Sequence, residues 1–366
     1  MANCWTSQHA RMKPIKHFIV TAGLILFLVS CAVKGCALVG APPPEVPQPA
    51  PELAWPNPPE TPRIRYLRTI ATPKDLGIAK SFWRRIWEFV VGSEDERIVK
   101  PYGIQTDARG RIYVVDSVAR LIHVFDPEGK SYNKIGDPEK LKFPIDIAIG
   151  AQEQIFVTDA ELGRVLKYDT GGKLIGEIGG EGNLQRPAGI AYNPLNGLIY
   201  VVDVLQHEVL VYDPQGKLQR RFGRRGNGSG EFNFPTNITV DRKGFLYVTD
   251  SLNFRVQVFD PQGNLISLFG RLGDALGDFS KPKGIAIDSE GHVYVVEGLF
   301  DTVIIFDRTG RLLLNFGGPG NGPGQFWLAT GIYIDPQDRI YVADSYNNRI
   351  QVFQYLREAG ADGPRR

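Results

Sequence analysis

A single phrase recurs six times along the 366-residue chain, and its spacing constrains the fold more than any other feature. The phrase is a short run of alternating, largely β-branched and aromatic residues that ends in an acid. The six acids are Asp116, Asp159, Asp203, Asp250, Glu297 and Asp344. Successive acids are separated by 43, 44, 47, 47 and 47 residues. A period of this length indicates one supersecondary unit that stacks against copies of itself.

Three further phrases accompany the acid in the first five units. A phrase that begins with proline in five copies and with Ala329 in the sixth lies 15 or 16 residues upstream of the acid. An apolar phrase ends ten residues after the acid, and a fourth, such as KLIGEIG at 173–179, follows a turn. Each has the length and composition of a strand bounded by Gly, Pro, Asp or Asn. Four strands per unit predict an all-β, six-bladed β-propeller with four antiparallel strands per blade.

The sixth unit lacks its fourth phrase, because the sequence leaves the repeat soon after Phe353. An orphan strand phrase, IRYLRTI at 64–70, precedes the first unit. We expect it to form the outer strand of blade six, so that the N-terminal strand closes the ring and no terminal edge is left unpaired. The propeller is therefore predicted to span residues 63–354, followed by a flexible tail at 355–366.

Two glycine-rich loops and two turns resemble NHL repeats. The loops are residues 223–232 and 317–326, and the turns, with the pattern D-S-x-N-x-R, begin at Asp250 and Asp344. The other four blades depart from the turn pattern: Arg164 keeps the arginine in register and Arg120 is one position early. The resemblance covers roughly residues 63–354 and implies the propeller fold. It does not fix the function, because NHL propellers include binding scaffolds, sensor domains and a few enzymes.

Antiparallel connectivity places the start of each first strand and the end of each second strand on one face, around the central channel. We expect a ligand or partner to bind on this face, which the inter-blade loops and the second-to-third-strand turns form. The predicted contact residues are Tyr102, Arg164, Arg224, Arg225, Asn253, Arg255, Lys283, Asn347 and Arg349. The alternative for the turn arginines is a structural role, in which each arginine pairs with an acid of a neighbouring blade.

Two enzymatic alternatives stay open. The NHL-type amidating lyase holds zinc with histidines directly after the proline, but none of these six positions is histidine here, and His123, His207 and His292 occupy three different registers. A calcium-dependent lactonase, like the gluconolactonase propellers, would use oxygen ligands in the channel. The candidates for those ligands are Asp146, Asn237 and Glu297. The competing interpretation is that the recurring acids cap turns by accepting backbone N–H bonds. No nucleophile–base pairing is visible, so no catalytic residue and no cofactor are predicted.

The N-terminal region has the features of an export signal. An apolar run at 18–29 follows Lys13, Lys16 and His17 and is too short to span a bilayer comfortably, which takes about 20 residues. The sequence LVSC at 28–31 resembles a bacterial lipobox, so residues 1–30 are predicted to be a signal peptide and Cys31 to be lipidated. Met12 gives the usual short basic n-region of a signal peptide, so we expect translation to start there and residues 1–11 not to belong to the protein. An uncleaved membrane anchor is the alternative.

Residues 31–62 are predicted to tether the propeller, because the proline-rich stretch at 41–62 favours an extended, semi-rigid chain. A polyproline ligand for a partner domain is the alternative. Ala32 resembles the pattern of lipoproteins sent to the outer membrane. We therefore expect a bacterial lipoprotein on the periplasmic side of the outer membrane or on the cell surface.

One segment does not fit the repeat. Within an insertion at about 74–98, residues 80–92 carry Phe82, Trp83, Ile86, Trp87 and Phe89 at helical spacing. We predict an amphipathic helix of about three turns. It either docks against the propeller or, through Trp83 and Trp87, contacts a membrane surface or captures a partner, which would make the protein a sensory or assembly subunit.

Composition narrows the class of partner. The chain has 42 Lys and Arg against 40 Asp and Glu, and this balance argues against a nucleic-acid binder, which needs a clear basic excess. The three cysteines, Cys4, Cys31 and Cys36, all lie outside the repeats. We predict a non-catalytic binding or scaffold propeller of the cell envelope. It would bind a protein or a polysaccharide and attach to the membrane through its lipid anchor.

Overall fold

The computed structural model describes residues 53–57, 59–79, 96–180 and 182–357. The signal peptide, Cys31, the helix predicted at 80–92 with Trp83 and Trp87, and residues 358–366 lie outside the described residues. Within the described ranges, no helix is long and apolar enough to cross a membrane. The helices described there are single 3-10 turns at Pro73–Leu76, Ala151–Glu153, Ser251–Asn253 and Ser345–Asn347.

The described strands form six antiparallel sheets, and these are the six predicted blades. Blade one contains β3 (Pro101–Thr106), β4 (Ile112–Asp116), β5 (Leu121–Asp126) and β6 (Ser131–Ile135). Blade two contains β7 (Pro144–Ile149), β8 (Ile155–Asp159), β9 (Arg164–Tyr168) and β10 (Leu174–Ile178). Blade three contains β11 (Pro187–Asn193), β12 (Leu198–Asp203), β13 (Glu208–Tyr212) and β14 (Leu218–Phe222).

The second half of the ring repeats this order. Blade four contains β15 (Pro235–Val240), β16 (Leu246–Asp250), β17 (Arg255–Phe259) and β18 (Leu265–Phe269). Blade five contains β19 (Pro282–Ile287), β20 (Val293–Glu297), β21 (Thr302–Phe306) and β22 (Leu312–Gly317). Blade six combines β23 (Ile332–Ile334), β24 (Arg339–Asp344) and β25 (Arg349–Tyr355) with β1 (Ala54–Trp55) and β2 (Ile64–Ile70).

Burial explains the different sequence patterns of the strands. Second strands such as β4 and β16 are buried at every residue, because a neighbouring blade covers each face of the sheet. They therefore read as nearly continuous apolar runs. Outer strands such as β14 alternate between half-buried and exposed residues, since solvent covers one side. The core accordingly lies between blades, as where Tyr113 and Val115 of blade one pack with Ile147 and Val157 of blade two.

The N-terminal strand closes the ring, as predicted. β2 pairs antiparallel with β25, from Ile64 opposite Tyr355 to Ile70 opposite Ile350. The innermost strands of blades six and one, β23 and β3, are in contact, so the two ends of the repeat meet. Covering the edge of β25 with a strand from the other end of the chain joins both ends to a single blade.

β1 is an addition that the sequence pattern does not indicate. Ala54 and Trp55 pair with β2 as a fifth strand, although they belong to the segment assigned to the tether. The Trp55 ring packs 5.8 Å from the rings of both Phe316 and Phe353, measured between centroids. A strand of two residues is too short to show an alternation of apolar and polar residues. It also lies within a proline-rich stretch, where a strand is not expected.

Candidate functional site

The recurring acids at the ends of the second strands hold two loops together. Asp159, for example, accepts hydrogen bonds from the backbone N–H of Lys142 at 2.7 Å, in the loop entering the blade. It also accepts one from Leu162 at 3.0 Å, in the turn that follows β8. The capping interpretation of these acids is thereby confirmed. The caps bring the inter-blade loops and the second-to-third-strand turns to one side, which we call the upper face.

In blade four the D-S-x-N-x-R turn anchors the glycine-rich loop before it. Arg255 is almost fully buried and donates to the Asp250 carboxylate at 2.8 Å and to the carbonyl oxygens of Asn227, Gly228 and Glu231 at 3.1, 2.7 and 2.8 Å. Asn253 donates to Asp250 and to the Gly226 carbonyl. The expected pairing with an acid of a neighbouring blade is therefore wrong. The acid belongs to the same blade, because β16 and β17 place Asp250 opposite Arg255.

Blade six repeats this arrangement. Arg349 donates to Asp344 at 2.7 Å and to carbonyl oxygens at 321, 322 and 325, while Asn347 donates to Asp344 and Gly320. Arg164 and Arg224 form exposed ion pairs, with Glu177 and Glu231 respectively. Arg225 is exposed. These arginines and the two asparagines do not line the central cavity described next.

A cavity of about 300 Å³ opens at the centre of the upper face, and we call it the channel mouth. All six residues that follow the proline position line it, as predicted, and so do Ala160, Val204 and Ser251 from the post-acid positions. The six are Tyr102, Ile145, Ala188, Thr236, Lys283 and Thr330. Burial raises the pKa of Tyr102, so its hydroxyl remains protonated at neutral pH. The exposed surface of the mouth is mainly apolar, although Asp146, Asn237, Arg186 and Lys281 also line it.

One residue deeper, the blades converge on a constriction. Four of the six positions there are glycine, at 103, 189, 284 and 331. A Cβ atom on Gly331 would collide with the carbonyl oxygen of Tyr102 in blade one. The other two positions are Asp146 and Asn237, whose side chains meet across the gap that Gly189 leaves. Asn237 donates to the Asp146 carboxylate at 3.2 Å, and burial raises the pKa of Asp146 to about 6.

The three candidate metal ligands do not form one site, because Asp146 and Asn237 meet but Glu297 lies apart from them. Glu297 is fully buried and accepts backbone N–H bonds from Ser280, Lys281 and Leu299, so it is another capping acid. The Asp146 oxygens already accept from the backbone of Ile147 and Ile190 as well as from Asn237. Among the described residues, no group of three or more His, Cys, Asp or Glu could hold a metal ion. The donors present thus do not fit the expected three-oxygen calcium site.

The histidines also serve different parts of the structure. His123 is buried between Tyr132 and Asp116, at 2.7 and 3.3 Å from its two ring nitrogens. His207 accepts the Phe234 backbone N–H in an inter-blade contact, and His292 contacts Asp288 at 2.8 Å. As expected from their registers, they do not come together.

The charged groups that reach the channel mouth from the surface are mainly cationic. Lys283 lies in the mouth, and Arg186 and Lys281 line its edge. Burial lowers the pKa of Lys283 to about 8. Lys100 lies nearby, 4.5 Å above the centroid of the Tyr346 ring. The Asp301 carboxylate, which interacts with Lys283, is nearly buried and accepts the Leu328 backbone N–H at 2.6 Å.

A feature missed by the sequence reasoning surrounds the mouth. Two residues after the capping acid, five of six blades carry an exposed apolar side chain at the tip of a turn. This apolar ring consists of Val118, Leu205, Leu252, Leu299 and Tyr346, and Glu161 takes the position in blade two. Phe300 and Trp327 extend it, and Trp327 packs against Tyr346 at 5.7 Å. In the sequence, this ring corresponds to an apolar or aromatic residue at the second position after the acid in five of the six units.

Comparisons with known proteins agree with this fold. The sequence matches the NHL repeat family at residues 232–259 and 326–353, the two stretches that contain the arginine-anchored turns. It matches a family described as a 6-bladed beta-propeller over residues 91–180 and 185–245. The resemblance to NHL repeats is therefore confirmed. No curated protein matches the chain.

Solved structures with the same fold have several activities. Virginiamycin B lyase from Staphylococcus aureus is 17% identical, with a TM-score of 0.55 over 71% of this chain and 96% of the other. An auxiliary nutrient binding protein from Bacteroides thetaiotaomicron is 15% identical, with a TM-score of 0.58 over 72% and 71%. A gluconolactonase from Xanthomonas campestris is 18% identical, with a TM-score of 0.53 over 70% and 86%. At these identities the likeness shows the fold alone.

Proposed function

We propose that this six-bladed propeller with NHL repeats is a binding protein whose upper face docks a protein partner. The observation that carries the proposal is the apolar ring around the channel mouth. Single exposed apolar side chains are ordinary on a protein surface, whereas apolar side chains that recur at the same turn position of five blades, all on one face, favour an interaction site. Leu299 is 60% exposed and Trp327 is 54% exposed, on turns whose backbone is fixed by buried capping acids.

The rigidity of these turns favours binding. Each turn in the ring follows an acid that accepts backbone N–H bonds within it or from the loop beside it, as Asp203 does from Leu205 and Gln185. A surface that is already ordered loses little conformational entropy when a partner docks. Aromatic side chains such as Trp327 and Tyr346 are the types that most often dominate the energy of protein interfaces.

A protein suits this surface better than a polysaccharide. The ring draws on five blades and encircles the mouth, so a complementary surface must span several turns at once. Apolar Leu and Val tips offer nothing to sugar hydroxyls, whereas they can insert between the side chains of a folded partner. The cations Arg186, Lys281 and Lys283 at the centre favour a partner that is acidic where it meets the mouth.

A matched pair of triple variants tests the proposal. The first carries Leu205→Ser, Leu252→Ser and Leu299→Ser in the apolar ring. The control carries Ile175→Ser, Ile266→Ser and Leu313→Ser, which are exposed apolar residues on the outer strands of blades two, four and five. Both should unfold at the temperature of the wild type, since all six side chains are exposed.

Chemical crosslinking in intact cells then shows whether each variant still binds the partner. We expect a protein adduct of defined mass with the wild type and with the control variant. The adduct should be lost with the ring variant, and excess purified wild-type protein should compete for it. An adduct that persists unchanged in the ring variant would refute docking on the upper face.

A further inference from the structure

We infer that the channel mouth binds a carboxylate of the partner, presented on an apolar peptide segment and held by Lys283 and Thr236. This inference rests on the proposed function and adds the chemistry by which the partner is recognised. It depends on two side chains of adjacent blades: Lys283, which makes one hydrogen bond within the described protein, and Thr236, whose hydroxyl makes none.

Lys283 is the first of these groups. It follows Pro282 at the start of β19, and its side chain crosses the mouth over Gly298. A Cβ atom on residue 298 would lie 2.6 Å from the Lys283 Cε atom, so glycine is required there for the lysine to lie in this position. The ammonium group donates to the Ala329 carbonyl oxygen at 3.1 Å. An ammonium has three N–H donors, and this single bond leaves two for a ligand.

Thr236 is the second group. It occupies the equivalent position in blade four, and its hydroxyl is buried with no hydrogen-bond partner in the structure. The serine and threonine hydroxyls elsewhere in the mouth are bonded: Ser251 donates to the Pro282 carbonyl at 2.7 Å, and Thr330 contacts Ser345 at 2.5 Å. A buried hydroxyl without a partner costs free energy, and a ligand acceptor would remove that cost.

The two groups together indicate that the ligand is an anion. A cation and a hydroxyl donor on neighbouring blades suit the two oxygens of a carboxylate. The apolar residues of the lining, including Ile145, Ala188 and Val204, suit an apolar side chain attached to that carboxylate. Asp146 also lines the mouth, but its oxygens are bonded to two backbone N–H groups and to Asn237. A C-terminal carboxylate or an acidic side chain flanked by apolar residues meets this description, and a neutral or cationic segment does not.

Two small probes test the inference on the full chain. The probes are a dansyl-labelled Leu-Phe dipeptide with a free C-terminal carboxylate and the same dipeptide with a C-terminal amide, with binding followed by fluorescence anisotropy. We expect the free acid to bind at least tenfold more tightly than the amide. Lys283→Met should abolish this preference and Thr236→Val should reduce it. Lys217→Met, a matched change at an exposed lysine in a turn on the opposite side, should leave it intact.

The pH dependence adds a readout that a general loss of stability would not produce. The groups that act on Lys283 are Lys281, Lys100, Asp301 and Glu297, and burial outweighs them to lower its pKa to about 8. Lysine carries its charge below its pKa, so affinity for the free acid should fall as pH rises through about 8. Affinity for the amide should not change across that range.

The possible failures can be told apart. Equal affinity for the acid and the amide would overturn the carboxylate inference while leaving docking on the apolar ring intact. A wild-type protein that binds neither probe at millimolar concentration would also overturn it. Failure of the proposed function itself would appear instead in the crosslinking experiment, which does not involve Lys283 or Thr236.

Discussion

At the scale of single residues, the same polar side chains that looked like binding groups are mostly structural. Arg255 makes four hydrogen bonds that tie the loop at 223–232 to the turn after β16. The sequence pattern identified this arginine but not its partner, because register between strands decides which acid it meets. Free binding capacity belongs instead to Lys283 and Thr236, at positions that the sequence placed correctly around the channel.

The role of Arg255 predicts a large loss of stability on substitution. Arg255→Met leaves the buried Asp250 carboxylate and three loop carbonyl oxygens without this donor. We expect the free energy of unfolding in urea to fall by about 3 kcal/mol. Arg224→Met is the matched control, since that arginine is exposed and its ion pair is screened by solvent. Equal effects of the two substitutions would contradict the anchoring role.

Asp146 predicts a pH dependence of stability. Its pKa is about 6 in the folded protein, above the ordinary value of a carboxyl group, because burial disfavours the charge. The folded state therefore binds the proton more tightly than the unfolded state, and stability falls as pH rises from about 4 to about 6.

Asp146→Asn removes this titration while keeping the shape of the side chain. The unfolding free energy of the wild type minus that of the variant should decrease by about 2 kcal/mol between pH 4 and pH 7. Urea titrations at each pH measure this difference. A difference that stays constant over that range would show that Asp146 is not the buried acid described.

At the scale of elements, the strand phrases predicted the fold almost completely. Second and third strands are covered by neighbouring blades, so burial dictates their apolar runs, whereas the acid that ends each second strand is needed to cap two loops. β2 was found because its alternation resembles the missing fourth strand of blade six. β1 was missed because two residues in a proline-rich stretch carry no periodicity. The sequence does not reveal the apolar ring, because an apolar residue in a turn can be buried or exposed and only the fold shows that these side chains are exposed.

The packing of β1 predicts that the end of the proline-rich segment stabilises blade six. Trp55 contacts Phe316 and Phe353, so Trp55→Ala should lower the free energy of unfolding by roughly 2 kcal/mol, less than for a fully buried tryptophan. Trp327→Ala on the upper face is the control and should leave stability unchanged, because that ring is more than half exposed. Urea unfolding of both variants separates a structural tryptophan from a binding one.

At the scale of the whole molecule, the sequence predicts that a lipid anchor presents the propeller at the cell envelope. The structure describes the propeller and its channel mouth, whereas the lipobox lies outside the described residues. We expect Cys31→Ser to abolish labelling by radioactive palmitate and to leave residues 1–30 uncleaved, so that the protein migrates as a larger species in a denaturing gel. Ser30→Ala, which keeps a small residue before the thiol, is the control and should be labelled and cleaved like the wild type. A Cys31→Ser variant of the same size as the wild type, with wild-type labelling, would contradict lipidation at Cys31.

Docking on the upper face predicts that a partner contacts this face and not the opposite one. Site-specific photocrosslinking distinguishes the two faces, with p-benzoylphenylalanine placed either at Leu299 in the apolar ring or at Leu195. Leu195 is 65% exposed, comparable to Leu299, but it lies in the turn between β11 and β12 on the opposite side. In intact cells we expect an ultraviolet-dependent protein adduct from position 299 and none from position 195. Adducts from position 195 alone, or of the same protein from both positions, would contradict the account.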